Sequence, residues 1–182
     1  KDRALLAALA AIQVRGAIGE VSLMAAVAHA EQFVAQLPES VRSLADLGSG
    51  GGLPGLVIAV RRPDVAITLI ERRRSRADLL QRAVRSLHLG NTRVFSGDVS
   101  QLAAEQPHAF DAVTARSFAA PAITARWAGE LLIANGMLVV SEPPQPDSGR
   151  WPATVLGPPG LSDLGQVGGI RRFRKMPTNS SS

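Results

Sequence analysis

V-R-S-L-A-D-L-G-S-G-G-G-L-P-G, residues 41–55, is the stretch that decides the fold of this chain. It reads as a short apolar strand, 41–47, with Asp46 at its close, followed by a turn made almost wholly of glycine. A helix then opens at Pro54, whose missing N–H costs nothing at a first helical position. A dinucleotide turn wants Gly-x-Gly-x-x-Gly, because the third glycine lets helix and strand pack closely while the pyrophosphate sits on the helix N-terminus. Here Gly48, Gly50 and Gly52 alternate, and Leu53 stands where that third glycine belongs. Together with Asp46, the spacing favours a ligand without a pyrophosphate, and a zwitterionic amino-acid tail would suit it.

Outward from this stretch the pattern alternates strand and helix, the signature of βαβ units and a mostly parallel sheet flanked by helices. Further strands are expected at 65–70, 92–95, 109–115 and 137–141. Helices are expected at about 54–61, over a segment burying Leu79, Leu80, Ala83, Val84 and Leu87, and at about 121–132, with Gly136 after Asn135 as its stop. Residues 153–156 and 169–175 are expected to close the sheet as hairpin-like strands. Ahead of the sheet, 4–14 and 22–37 read as helices, the second with an apolar stripe of Leu23, Val27, Ala30, Val34 and Leu37 and with His29 off it, at the surface. The division expected is a helical cap over 1–40, a ligand-binding α/β domain over 41–176 and a disordered tail over 177–182.

Composition narrows the chemistry. The 182 residues are 46% hydrophobic, enough for one domain with a sizeable core. Without cysteine there is no disulfide framework, thiolate zinc site or iron–sulfur cluster. No metal site is expected. No apolar run reaches the roughly 18 residues of a membrane span, and the first residues, with Asp2 among their charges, continue as an amphipathic helix rather than a cleavable leader. A cytoplasmic protein is expected. The net charge of +5 is uneven: Arg72, Arg73, Arg74, Arg76, Arg82, Arg85, Arg171, Arg172, Arg174 and Lys175 are ten of the twenty Lys plus Arg. Such patches permit a polyanionic partner such as RNA. On the helix carrying Arg74, Asp78, Arg82 and Arg85, a merely solvated face is the other reading.

Ligands of open parallel sheets lie over the carboxyl ends of the strands, so the residues closing each strand are the candidates. Glu71 follows Gly48 by 23 residues, where a carboxylate can accept both hydroxyls of a ribose; a helix N-terminal carboxylate is the alternative. Asp98 is placed to accept from an adenine amine while Val99 packs on the ring, or to cap the helix beginning there. Arg116 closes the fourth strand, where it can hold a carboxylate, present paired donors to guanine O6 or phosphate, or pair with Asp98 or Glu71. Phe118 and Trp151 are candidates for stacking on a base or for core packing. His88 and His108 are isolated and expected to be solvated.

Asp-x-Gly-x-Gly-x-Gly after a strand resembles the first motif of the class I S-adenosylmethionine methyltransferases, whose Rossmann-like fold lays this loop along the methionine part of the cofactor. The run L-x-D-L-G-S-G-x-G-L-P-G from Leu44, the strand Phe110-Asp111-Ala112-Val113-Thr114-Ala115-Arg116 and the helix E-R-x-x-x-R-A-x-x-L-x-x-A from Glu71 narrow the resemblance over roughly 38–141. They are similar to the ribosomal RNA small subunit methyltransferase G family, also called glucose-inhibited division protein B. The resemblance implies transfer of a methyl group from S-adenosyl-L-methionine to N7 of a guanosine in 16S ribosomal RNA, with that RNA or the small ribosomal subunit as partner. The family's cofactor contacts fall on Gly48, Leu53, Val99, Ser100 and Arg116, beside the candidates Asp46, Ser49, Gly50, Gly52, Glu71 and Asp98. Two departures stand out: Gly97-Asp98-Val99-Ser100 replaces the family's usual Gly-Arg-Ala-Glu, and the family's N-terminal Asn-Leu-Thr and Arg-His segments are not matched. A free lone pair on N7 needs no general base, which agrees with the lack of a histidine–carboxylate pair, and C5 methylation of a pyrimidine lacks its thiolate. A class I enzyme acting on a small molecule or protein, and a cofactor-binding module without activity, remain the alternatives.

Overall fold

The computed structural model describes residues 1–145, 147 and 149–178. Two helices, α1 (Asp2–Val14) and α2 (Leu23–Gln36), precede β1 (Ser43–Leu47), α3 (Gly55–Arg61), β2 (Ala66–Glu71), α4 (Arg74–Ser86) and β3 (Thr92–Ser96). The chain then crosses back through α5 (Val99–Glu105), β4 (Phe110–Ala115), α6 (Pro121–Leu131) and β5 (Leu132–Ser141), and ends with α7 (Ala153–Leu156), β6 (Leu161–Val167) and β7 (Ile170–Lys175). The strands form one sheet in the order β3-β2-β1-β4-β5-β7-β6. β1 to β5 run parallel, while β7 is antiparallel to both β5 and β6.

This is a Rossmann-like sheet with helices on both faces. Leu44, Ile67, Leu69 and Val139 belong to a core shared with α1 to α4; Ala45, Leu47, Ile70, Val113 and Leu138 belong to a second core shared with α5 to α7. Alternate residues of each strand thus feed opposite faces, and strands buried on both sides read as nearly continuous apolar runs. Strand order reverses between β1 and β4, and there the crossover directions diverge and open a crevice at the carboxyl ends.

The N-terminal cap is helical as expected, but its buried face lies one residue earlier on the wheel than the expected stripe. Ala26, Ala30, Phe33 and Leu37 are buried, and Leu23, Val27 and Val34 only flank them. Phe33 decides this, because its ring is fully buried and the small Ala26 and Ala30 let the helix approach the sheet. That rotation makes His29 half-buried rather than a surface residue, edge-on to Phe33 with ring centroids 5.8 Å apart. Ser22 starts α2, its side chain accepting from the Ala25 amide.

Three boundaries differ from the sequence reading. Pro54 caps α3 rather than occupying its first turn. Asn135-Gly136 is not the stop of α6, which ends at Leu131; the pair lies inside β5, where the register jumps from Phe110↔Leu132 to Ala112↔Met137. Asn135 takes φ +64, and a Cβ on Gly136 would stand 3.1 Å from the Asp111 carbonyl, so these turn-forming residues make a bulge. Residues 153–156 form α7 instead of a strand, and the partner of β7 is β6, joined to it through Gly168-Gly169. Of the expected tail, 179–182 lie outside the described residues.

Removing the Phe33 ring leaves a cavity between α2 and the sheet that neither can close. Phe33→Ala should lower unfolding stability by about 3–5 kcal/mol, measured by urea titration.

Candidate functional site

The glycine turn is held from below by hydrogen bonds. The Ser49 amide donates to Ile70 O at 2.8 Å, the Ser49 hydroxyl to Asp46 O at 3.1 Å, and the Gly52 amide to Ser49 O at 2.7 Å. Gly48, Gly50 and Gly52 all have positive φ, which L side chains rarely adopt. A Cβ on Gly55 would meet Leu69 at 2.3 Å, so α3 begins in direct contact with β2.

Asp46 lies beneath this turn, 1% exposed. Its Oδ1 accepts from the Thr114 hydroxyl at 2.7 Å, across the β1–β4 pairing in which the two residues stand opposite each other. Burial pushes its carboxyl up to about 6; the Thr114 hydroxyl opposes this most, ahead of Ser49, the Gly55 backbone and the charge of Arg116. Glu71 does the complementary work at the end of β2. Its Oε2 accepts from the Gly50 amide at 2.9 Å and its Oε1 from the Arg73 amide at 2.8 Å, tying the turn to the start of α4. Asp98 caps α5: its Oδ1 accepts from the Ser100 amide at 2.9 Å and Gln101 returns a bond to its own amide. The Ser100 bonds, with Arg72 nearby, hold its carboxyl below the usual range.

Over the carboxyl ends of β1 to β4 these elements enclose a cleft of about 520 Å³. Gly48, Glu71, Asp98 and Val99 line it. So do Arg72, Arg73 and Arg76 from the start of α4, the Ser117–Ala119 turn after β4, and Ile123 and Trp127 one helical turn apart on α6. The Phe118 ring lies over Gly48, where a Cβ would meet it at 2.7 Å. The structure therefore brings five sequence-predicted residues, Gly48, Glu71, Asp98, Val99 and Phe118, to one surface. Asp46 and Ser49 are buried beneath it, Gly50, Gly52 and Leu53 shape the turn without facing the cleft, and Ser100 is exposed on α5.

Arg116 stands apart. It is half-buried and, among the described residues, makes no ion pair, so pairing with Asp98 or Glu71 does not occur. Its charge acts on Asp46 and on His29, whose imidazole is held below its ordinary range by burial and then by Arg116. Trp151 is core: 7% exposed, packed 4.5 Å from Phe173, with Nε1 donating to Glu142 Oε1 at 2.8 Å. His88 and His108 are exposed, the latter with Nδ1 3.1 Å from Leu132 O. The arginines at the cleft mouth and Trp127 were not singled out as cleft residues from sequence. Their signal was the position of Arg72 and Arg73 straight after Glu71, and the i, i+4 spacing of Ile123 and Trp127 on a helix starting at the same strand ends.

The donor set suits a nucleoside with an amino-acid tail: a carboxylate acceptor at the wall, the apolar surfaces of Ile70 and Val99 for a ring, and a turn with no side chain at Gly48. A second cavity of about 520 Å³ beside the starts of β2 and β3 has apolar walls from Ala4, Ala59, Val60, Pro63, Leu87 and Leu89, and no such chemistry. Among the described residues no three His, Asp or Glu group as for a metal, and no helix is long and apolar enough to cross a membrane.

The family model for rRNA small subunit methyltransferase G matches residues 23–143. A ribosomal RNA small subunit methyltransferase G from Neisseria meningitidis is 41% identical over 119 residues, 64% of this chain and 56% of the relative. One from Methylobacillus flagellatus is 34% identical over 63% of this chain and 52% of its own length. The chain thus spans little more than half the length of these relatives. Among solved structures, the O-methyltransferase TomG from Streptomyces achromogenes, in complex with SAM, matches 95% of this chain and 90% of its own, with a TM-score of 0.64 and 17% identity; this likeness is one of fold.

Raising the Asp46 carboxyl from 3.8 to about 6 has a defined sign. Between these values the folded state binds the proton that the unfolded chain has released, so stability falls as pH rises through that window and is level above it. Asp46→Asn keeps an acceptor for Thr114 and should abolish this slope, seen as urea midpoints that converge at low pH and diverge by pH 7.

Proposed function

The chain belongs to the rRNA small subunit methyltransferase G family, and on that premise we propose that it transfers a methyl group from S-adenosylmethionine to N7 of a guanosine in 16S ribosomal RNA. The observation that carries the reading is the reach of the family match, from α2 to just past β5, across every strand end that lines the cleft. The RNA places the reaction in the cytoplasm.

When bound, the sulfonium supplies an activated methyl group, and the residues have only to hold and align. In this reading Gly48, Gly50, Gly52 and Leu53 form the seat of the methionine portion, with Asp46 and Ser49 fixing that seat from beneath. Glu71 accepts from the ribose: each of its oxygens holds one backbone amide and keeps a lone pair for a hydroxyl. Asp98, Val99 and Ser100 border the adenine. Arg116, which makes no ion pair among the described residues, takes the cofactor's carboxylate in this reading. Because N7 carries a lone pair and no proton, alignment rather than general base catalysis is the protein's task.

RNA contact is assigned to α4. Arg72, Arg73, Arg74, Arg82 and Arg85 are exposed and make no ion pair among the described residues. In the second basic stretch, by contrast, Arg171 is paired with Asp163 at 2.6 Å and Lys175 donates to Pro159 O, which leaves Arg174 as its one exposed arginine without an ion pair among the described residues. A guanidinium already engaged in the sheet has less to offer a phosphate.

The deciding experiment follows labelled methyl from S-adenosylmethionine into deproteinised 16S ribosomal RNA and intact small subunits, with the modified base identified by mass spectrometry. 7-Methylguanosine is expected. Labelling of a protein or small molecule instead, or cofactor binding with no acceptor, would replace this reading by one of the alternatives. Glu71→Gln should weaken S-adenosylmethionine binding about tenfold to a hundredfold, read by calorimetry. Arg82→Gln with Arg85→Gln should leave cofactor affinity intact while flattening the salt dependence of RNA binding by about 1.5 log units per log unit of salt.

A further inference from the structure

Beyond the Ser117–Ala119 turn lies another cavity, about 260 Å³, at the carboxyl ends of β4 and β5. Ser117, Phe118 and Ala119 line both this cavity and the cofactor cleft, so one turn of backbone is a wall of each. We propose that this cavity receives the acceptor guanine, and that Arg150 recognises it by donating to O6. The proposal rests on the methyl-transfer reading above and adds to it the site of the base.

Position supports it first. Direct transfer requires donor and acceptor atoms to lie in line across a short gap, and the two cavities adjoin at the Ser117–Ala119 turn. Size supports it next. The cavity is half the volume of the cofactor cleft and suits one planar heterocycle rather than a second nucleotide cofactor. The wall itself is unusual backbone: Ser117 takes φ +51, a strained conformation for a residue other than glycine, and such residues gather where a ligand is clamped.

Arg150 supports it most directly. Arg150 lines the cavity, and its side chain makes one hydrogen bond among the described residues, to Glu142 Oε2 at 3.3 Å. Glu142 is wholly buried and is itself fixed by the Trp151 indole, which packs on Phe173. A chain of core contacts therefore restrains a cation at the cavity that, among the described residues, has one of its five N–H donors engaged. Guanine presents the acceptor O6 beside N7, whereas adenine presents an amine donor there, which a guanidinium rejects. Ser117 and Ser141 add hydroxyls to the lining, while the Thr124 hydroxyl is occupied by Ala119 O at 3.3 Å. In the step itself the N7 lone pair forms the bond to the methyl carbon, the carbon–sulfur pair leaves with sulfur, and no proton moves. The base becomes cationic and the sulfonium a neutral thioether.

The test has two arms on the full chain. In the first, guanosine monophosphate is titrated to millimolar concentration into protein loaded with S-adenosylhomocysteine and followed by NMR, with adenosine monophosphate as the comparison. Saturable binding of the guanine nucleotide, at least tenfold weaker in Arg150→Gln and not matched by the adenine nucleotide, is expected. In the second, Arg150→Gln should lower kcat/KM for ribosomal RNA at least tenfold with the KM for S-adenosylmethionine unchanged. Arg150→Lys keeps the charge against Glu142, so it retains the fold if the glutamine variant does not, yet it should show the same loss. No saturable signal, equal binding of both nucleotides, or full transfer by the lysine variant would overturn the assignment. Guanine binding that depends on Arg150 in a protein transferring nothing to RNA would leave the pocket standing and remove only the reading it was built on.

Discussion

Everything at the working end of this sheet hangs on the buried contact between Asp46 and Thr114. It joins β1 to β4 across the place where strand order reverses. A carboxylate buried there is expensive, as its elevated pKa records, and a hydrophobic pair would cost less. What the acid adds is direction: it accepts from β4, and with Ser49 and the Gly55 backbone close by it sets where the glycine turn leaves β1 and where α3 begins. Shift that turn and Gly48 no longer meets Phe118.

Glu71 carries the same logic one strand over. By accepting from the amides of Gly50 and Arg73, it couples the turn after β1 to the turn after β2. The two acids act at different depths, Asp46 beneath the floor and Glu71 in the wall. Only the second lines the cleft.

The fold was legible because it is written in local periods. The parallel strands are buried on both faces, so each shows as a short apolar run, and the glycine turn identifies which of them opens the site. The site was legible only as far as strand ends could be read. That Asp46 closes β1 is visible in the sequence. That it turns inward depends on Thr114, 68 residues later, and no local pattern contains that pairing. Asn135-Gly136 carried two meanings, helix stop and strand bulge, and the choice is made by the Asp111 carbonyl on the neighbouring strand. Four residues at 153–156 hold too little periodicity to tell a turn of helix from a strand. The rotation of α2 came from Phe33, whose bulk outweighs the aliphatic residues that marked the other stripe.

Charge was the least legible quantity, because sequence counts cations without showing which are already satisfied. Both basic stretches look alike as strings, yet they meet different surroundings. On α4 the arginines project from a helix whose opposite face is in the core, and acidic partners are sparse there. On β7 the alternation of a strand turns Arg171 and Lys175 toward β6 and the loop before it, where Asp163 and Pro159 O receive them. Secondary structure therefore sorts identical residue types into those available to a polyanion and those that hold an edge of the sheet. Arg150 falls between: a buried acid holds one of its donors, and the residue lines a cavity.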